Sequence, residues 1–114
     1  MPGIRRLLIA VGGFLALAAG PGLADDTGTS STTPQADAAK RGEAVFSSHG
    51  CGYCHENGGR TAGKGPQLMG TSRDDAFITF RVMNGKEARM PSFSGSIDGD
   101  QLADLIAYIR SLKD

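Results

Sequence analysis

An all-α domain is the fold class this chain predicts, and three observations predict it. Leu102, Leu105, Ile106, Ile109 and Leu112 repeat at helical spacing and define one buried face. No stretch alternates apolar and polar residues as a half-buried strand would. Cysteine occurs only in the pentapeptide Cys51-Gly52-Tyr53-Cys54-His55, and a Gly-rich segment follows it to Gly70. A loop that long in a small domain is unusual unless it wraps a bound group.

The first 24 residues read as an export signal. Arg5 and Arg6 supply positive charge, Leu7 to Ala19 form an apolar core of 13 residues, and Pro21 breaks the run before Gly22-Leu23-Ala24. The core is shorter than the ~17–25 residues that span a bilayer. Cleavage after Ala24 is therefore expected, with an uncleaved anchor as the alternative. Residues 25–36 are polar, Ser/Thr-rich and contain Pro34, which suits a flexible leader. Residues 37–114 remain as one domain, small enough that a cofactor or staple should complete its core. Removing Arg5 and Arg6 from the 12 basic residues leaves 10 against 12 acidic ones, a net charge of −2. That balance excludes a strongly basic nucleic-acid binder.

The first helix is expected over Asp37–Ser47, with Asp37 as N-cap and Ala38, Ala39 and Ala44 as helix formers. Gly42 and Phe46 fall four apart on one face. A helix-interior glycine costs about 0.5–1 kcal/mol relative to alanine, which a closely passing backbone would explain.

The pentapeptide comes next. Two thiols three positions apart, followed by an imidazole, match the attachment signature of c-type haem. Each thiol can add to one haem vinyl group, and the histidine then lies under the iron. A redox dithiol, a disulfide and half of a zinc site use the same cysteine spacing. The dithiol lacks its βαβ context here, and zinc would crowd His49, Cys51, Cys54 and His55 into seven residues. Export permits a disulfide as readily as haem attachment.

A second helix is expected over Ser72–Asn84. Ser72 would cap it with Asp75 three residues on, Phe77, Phe80 and Val82 would form its apolar side, and Asn84-Gly85 would stop it. Lys86 to Ser96 is a loop holding Met90-Pro91-Ser92-Phe93. The third helix is expected over Asp98–Leu112, with Asp98 and Gln101 as a box-like pair and Ile97 stapled onto Leu102.

An iron held by His55 needs a second axial ligand or keeps an open site. Thioether sulfur is the usual soft partner. Met69 and Met83 suit core filling, whereas Pro91 holds Met90 in a loop where its sulfur can be kept in one place. Met90 is the expected ligand and His49 its rival.

Four stretches, in order, resemble the small mono-haem class I cytochromes c of bacteria. They are Gly42 with Phe46, CGYCH, Gly65-Pro66-Gln67-Leu68-Met69-Gly70, and Asn84-Gly85 leading through Met90-Pro91-Ser92-Phe93 to Asp104-Leu105-Ile106-Ala107-Tyr108-Ile109. The resemblance covers Asp37 to Lys113. It implies a compact class I cytochrome c fold, three main helices wrapped around one haem c attached through Cys51 and Cys54. It also implies that the Pro66 carbonyl accepts the Nδ1 proton of His55 and that Leu68 packs on the haem face. Gly42 and Phe46 would meet Leu105 and Tyr108 where the first and last helices cross. Arg73 either pairs with a haem propionate or stays solvated at a helix start. The long leader, the absence of Trp and the short span from His55 to Met90 leave the subgroup open.

The expected function is non-enzymatic. A periplasmic protein would pass single electrons through a His55/Met90-ligated haem between redox proteins of dehydrogenase or oxidase type. It would act as a free carrier, a monomer, or as the cytochrome subunit of an oxidoreductase complex. No nucleic acid is expected, and membrane contact only through partners or an uncleaved signal. The alternative is a peroxidase-like haem enzyme or gas sensor with an open distal site, for which His49 is the only spare histidine.

Overall fold

The computed structural model describes residues 33–114 and the single positions Gly12, Gly13 and Gly20. The expected export signal and residues 25–32 of the leader lie outside the described residues. Among the described residues there are three α-helices, two short 3₁₀ turns and no strand, only an isolated bridge between Lys86 and Met90. The all-α expectation holds. No helix among the described residues is long and apolar enough to cross a membrane.

Helix α1 (Pro34–Ser48) begins three residues before the expected Asp37. The Thr33 hydroxyl accepts the Ala36 N–H at 3.2 Å, and Pro34 in the first turn has no N–H left to satisfy. Asp37 instead sits inside the first turn, where its charge complements the helix dipole. Pro34 to Ala36 are thus helical rather than part of a flexible leader.

Helix α2 (Asp75–Asn84) starts later than expected, capped by Asp74 rather than Ser72. The Asp74 carboxylate accepts the Phe77 N–H at 2.8 Å. A helix capped at Ser72 would give that N–H to the Arg73 carbonyl, which Arg110 binds instead at 2.6 Å. Arg110 also donates to the Thr71 carbonyl at 3.3 Å and pairs with Asp75 at 2.7 Å. The apolar side differs as well. Ile78 and Val82, four apart, are buried, while Phe80 is 59% exposed. Phe80 lies two residues from each of them, on the far side of the helix.

Helix α3 (Gly99–Ser111) has both arms of its capping box. Asp98 accepts the Gln101 N–H at 2.8 Å, and the Gln101 side chain accepts the Asp98 N–H at 3.0 Å. Leu102, Leu105, Tyr108 and Ile109 are buried along it, with Ile97 before and Leu112 after. Its main partner is α1. A methyl group on Gly42 would overlap the Asp104 carbonyl and meet the Tyr108 Cβ, so only glycine lets the backbones approach this closely. Phe46 and Tyr108 pack with ring centroids 5.3 Å apart. Arg41 closes the crossing with two hydrogen bonds to Asp104, each 2.9 Å.

Candidate haem site

The crossing of α1 and α3 leaves a cavity of about 680 Å³ between those helices, α2 and the loops that join them. That volume is within the ~300–1,000 Å³ usual for cofactor sites. Phe46, Ile78, Val82, Phe93, Leu105 and Ile109 supply apolar wall. No large side chain of the described core is completely enclosed, because the core opens onto this space.

Cys51 begins the first 3₁₀ turn (Cys51–Tyr53), and its carbonyl accepts the N–H of both Cys54, at 3.2 Å, and His55, at 2.9 Å. The turn brings both thiols and the imidazole to one side of the cavity, which all three line. The thiols are free. Burial, opposed by a hydrogen bond to its own backbone and aided by nearby Cys54, pushes the Cys51 thiol up. Catalytic dithiols have the opposite bias, toward a stabilised thiolate. Among the described residues no three His, Cys, Asp or Glu side chains converge on a metal-sized site, so the zinc alternative finds no cluster.

His55 is buried, with Nδ1 2.7 Å from the Pro66 carbonyl oxygen. A carbonyl can only accept, so Nδ1 carries the proton and Nε2 keeps its lone pair. The Gly65 N–H donates to the Cys54 carbonyl at 2.9 Å, which draws the next strand of loop across the ring. A Cβ at Gly65 would lie 2.6 Å from His55 Cε1. Leu68 is tied by its N–H to the Gly59 carbonyl at 2.8 Å, and its side chain lines the cavity.

Met90 lines the same cavity, half-buried against the core. Its N–H and C=O both pair with Lys86, at 2.9 and 2.8 Å. Gly85, with φ of 70°, permits this turn, since a side chain there would run into the Met90 and Pro91 carbonyls. Met69 and Met83 pack on the core but do not line the cavity. His49 does line it, yet both ring nitrogens face backbone carbonyls: Nδ1 to Val45 at 2.9 Å and Nε2 to Ser96 at 3.1 Å.

Arg73 is exposed at the mouth, its guanidinium carbon 4.4 Å from the Phe77 ring centroid. Arg81 approaches the same ring at 5.2 Å and donates to the Gly85 carbonyl at 3.1 Å. Sequence reasoning missed Arg81, Lys64, Lys86 and Arg89 as lining residues, and it missed Ile78 as wall. Only Ile78 carried a usable signal, its four-residue spacing to Val82.

The site's chemistry suits haem: an apolar slot of cofactor size, two thiols on one edge, a buried imidazole of fixed tautomer and a thioether in the same cavity. A helical domain with this arrangement is a c-type haem protein. The family model described as cytochrome c oxidase, cbb3-type, subunit III matches residues 37–109, and the chain belongs to this family of small class I c-type cytochromes. A cytochrome c6 from Synechococcus elongatus is 36% identical over 75 residues, which cover 60% of this chain and 83% of that protein. No solved structure matches at a significant level. Membership makes the chain an electron-transfer protein with covalently bound haem c and with redox partners.

Proposed function

We propose that this chain carries single electrons between periplasmic redox proteins with His55 and Met90 as its two axial ligands, making and breaking no substrate bond. The observation that carries this is one cavity lined by both side chains, with the His55 Nδ1 proton held on the Pro66 carbonyl at 2.7 Å. Bound haem supplies a one-electron couple, and a thioether ligand shifts it toward the ferrous form. The protein's own residues supply the rest. Cys51 and Cys54 offer the two thiols for attachment. Pro66 orients His55 so that Nε2 faces the cavity. The turn closed by Lys86 and stiffened by Pro91 keeps the Met90 sulfur from wandering, and Leu68 adds apolar wall to the same cavity. Arg73 offers its charge to a propionate, and Arg81 stands at the same aromatic ring.

A peroxidase-like enzyme or a gas sensor would need a distal acid–base group. His49, the spare histidine, lies between the Val45 and Ser96 carbonyls, at 2.9 and 3.1 Å from its ring nitrogens, and a neutral ring donates to one of them; that placement against backbone speaks against the distal role and against His/His ligation. We further propose that residues 1–24 export the chain, with cleavage after Ala24, and that residues 25–32 are a leader to α1. The protein then works as a free carrier or as the cytochrome subunit of a dehydrogenase or oxidase complex.

The test is the absorption spectrum of the exported protein, oxidised and reduced, beside that of Met90→Ala. Wild type is expected to show low-spin ferrous c-type bands and the weak far-red ferric band of iron–sulfur ligation. Met90→Ala is expected to lose the far-red band. Haem without that band in wild type would reopen the enzyme and sensor reading.

A further inference from the structure

We propose that Ser92 is a positioning residue for Met90: its hydroxyl fastens the far limb of the Met90 loop to the carboxyl end of α2 and thereby sets how often the sulfur leaves the iron. This rests on the His55/Met90 ligation proposed above. The near limb is held by its own turn. The Gly85 N–H donates to the Arg81 carbonyl at 2.8 Å, the Arg81 side chain donates to the Gly85 carbonyl at 3.1 Å, and Lys86 pairs with Met90. Past Met90, Pro91 has no N–H to give. Ser92 and Phe93 are therefore the first residues able to hold the far limb by donation, and both donate to α2. The Phe93 N–H meets the Val82 carbonyl at 3.0 Å, and the Ser92 hydroxyl meets the Met83 carbonyl. Carbonyls in the last turn of a helix have no intrahelical partner, so the loop satisfies two of them in succession.

Of these two ties, Phe93 uses its backbone, and any residue but proline could make it. The Ser92 tie is made by the side chain, so it depends on which residue stands at 92. A hydroxyl has one proton. Ser92 spends it on Met83, and the Ser94 hydroxyl, 3.2 Å away, must then donate to the Ser92 oxygen. The Ser94 N–H points at the same oxygen from 3.5 Å. Bonds donated into a hydroxyl polarise the one it donates. Beyond Phe93 the chain is anchored on its own account, because the Phe93 carbonyl accepts the Ile97 N–H at 2.9 Å and Ile97 is buried. Only Pro91, with φ fixed by its ring, separates Ser92 from Met90. A stiff link of one residue carries the position of Ser92 to the base of the thioether side chain.

The experiment titrates the ferric haem-loaded protein with imidazole at near-neutral pH and follows the far-red band. Imidazole takes the iron only when the sulfur has left, so its apparent affinity is the intrinsic one scaled by the open fraction. Ser92→Ala is expected to raise that affinity about two- to tenfold, the factor one hydrogen bond carries. Cyanide differs from imidazole in size and charge but needs the same opening, so its affinity should rise by the same factor. Ser92→Thr keeps the hydroxyl and should match wild type. Ser111→Ala removes a bond of the same kind, from the Ser111 hydroxyl to the Tyr108 carbonyl at 2.6 Å, at the carboxyl end of α3. It should lower the melting temperature and leave both affinities unchanged.

Equal affinities in wild type and Ser92→Ala overturn the proposal, as does a rise of the same size in Ser111→Ala, which would make the effect one of overall stability. A Ser92→Thr protein as open as Ser92→Ala, or a rise for one ligand alone, overturns it too, since neither traces to the hydroxyl and the opening it controls. In all these cases wild type keeps its far-red band and the carrier reading stands. A wild-type spectrum without that band sinks the Met90 ligation instead, and this proposal with it.

Discussion

His49 and His55 stand six residues apart, and what faces their nitrogens separates them. His55 meets one carbonyl, at Pro66, and keeps Nε2 for the cavity. His49 lies between two, at Val45 and Ser96, and a neutral ring donates to one of them; the contact with Ser96 ties the end of α1 to the turn before α3. His49→Phe should remove that tie and cost about 0.5–1.5 kcal/mol, the usual net worth of a hydrogen bond. Thermal unfolding of the haem-loaded protein should show the loss, while the far-red ferric band persists. A lost band would mean that His49 reaches the iron after all. Gly65 is a second residue-scale constraint. Gly65→Ala places a methyl group against the His55 ring, and overpacking of that kind costs about 1–3 kcal/mol. A lower melting temperature with unchanged ligation is the expected outcome, since the Pro66 hydrogen bond still orients the ring.

At the scale of elements, the α1–α3 crossing carries the fold. Replacing Gly42 by alanine would regain about 0.5–1 kcal/mol of helix propensity. It would also drive a methyl group into the Asp104 carbonyl, and a backbone obstacle cannot rotate away. The overpacking term, about 1–3 kcal/mol, should win, so denaturant unfolding is expected to show a net loss for Gly42→Ala. The ion pair beside it makes a pH prediction. The hydrogen bond from Arg41 holds the Asp104 carboxyl below its usual range. A depressed folded value stabilises the protein above the unfolded carboxyl value of about 3.9 and loses that contribution as pH falls through the folded value. Melting temperatures of wild type and Asp104→Asn should therefore differ at pH 6 and converge as pH falls below 3.9. A difference that persists unchanged as pH falls well below 3.9 would show that the pair contributes nothing through its charge.

Among the described residues, a large apolar cavity is surrounded by side chains of which no large one is fully enclosed. Domains this small have marginal cores. Bound haem would act as core as well as cofactor, which would make the attachment cysteines determinants of folding. Cys51→Ala with Cys54→Ala should abolish covalent attachment. Far-UV circular dichroism should then show most of the helix signal and the cooperative melt gone. A helical, cooperatively melting double variant would show that the polypeptide suffices.

Much of this could be read without coordinates. The pentapeptide, the leucine and isoleucine spacing of α3, its capping pair and the Asn84-Gly85 stop are local signals. They depend on residues within one or two turns, which is the range over which caps, propensity and periodicity act. Helix starts were less legible, because rival caps lay within four residues of each other. Thr33 with Pro34 prevailed over Asp37, and Asp74 over Ser72 once Arg110 from α3 had taken the Arg73 carbonyl. The exposure of Phe80 and the burial of Ile78 likewise follow from which side of α2 meets the cavity.

The sequence by itself determined the class of fold, the haem attachment and which histidine follows the thiols, since each is written in neighbouring residues. Tertiary structure alone decided that His49 lies between two carbonyls, that Gly42 admits the Asp104 backbone and that five cations gather where no carboxylate does. Those facts join residues up to 62 positions apart, and such distances are set by packing, which no local pattern encodes.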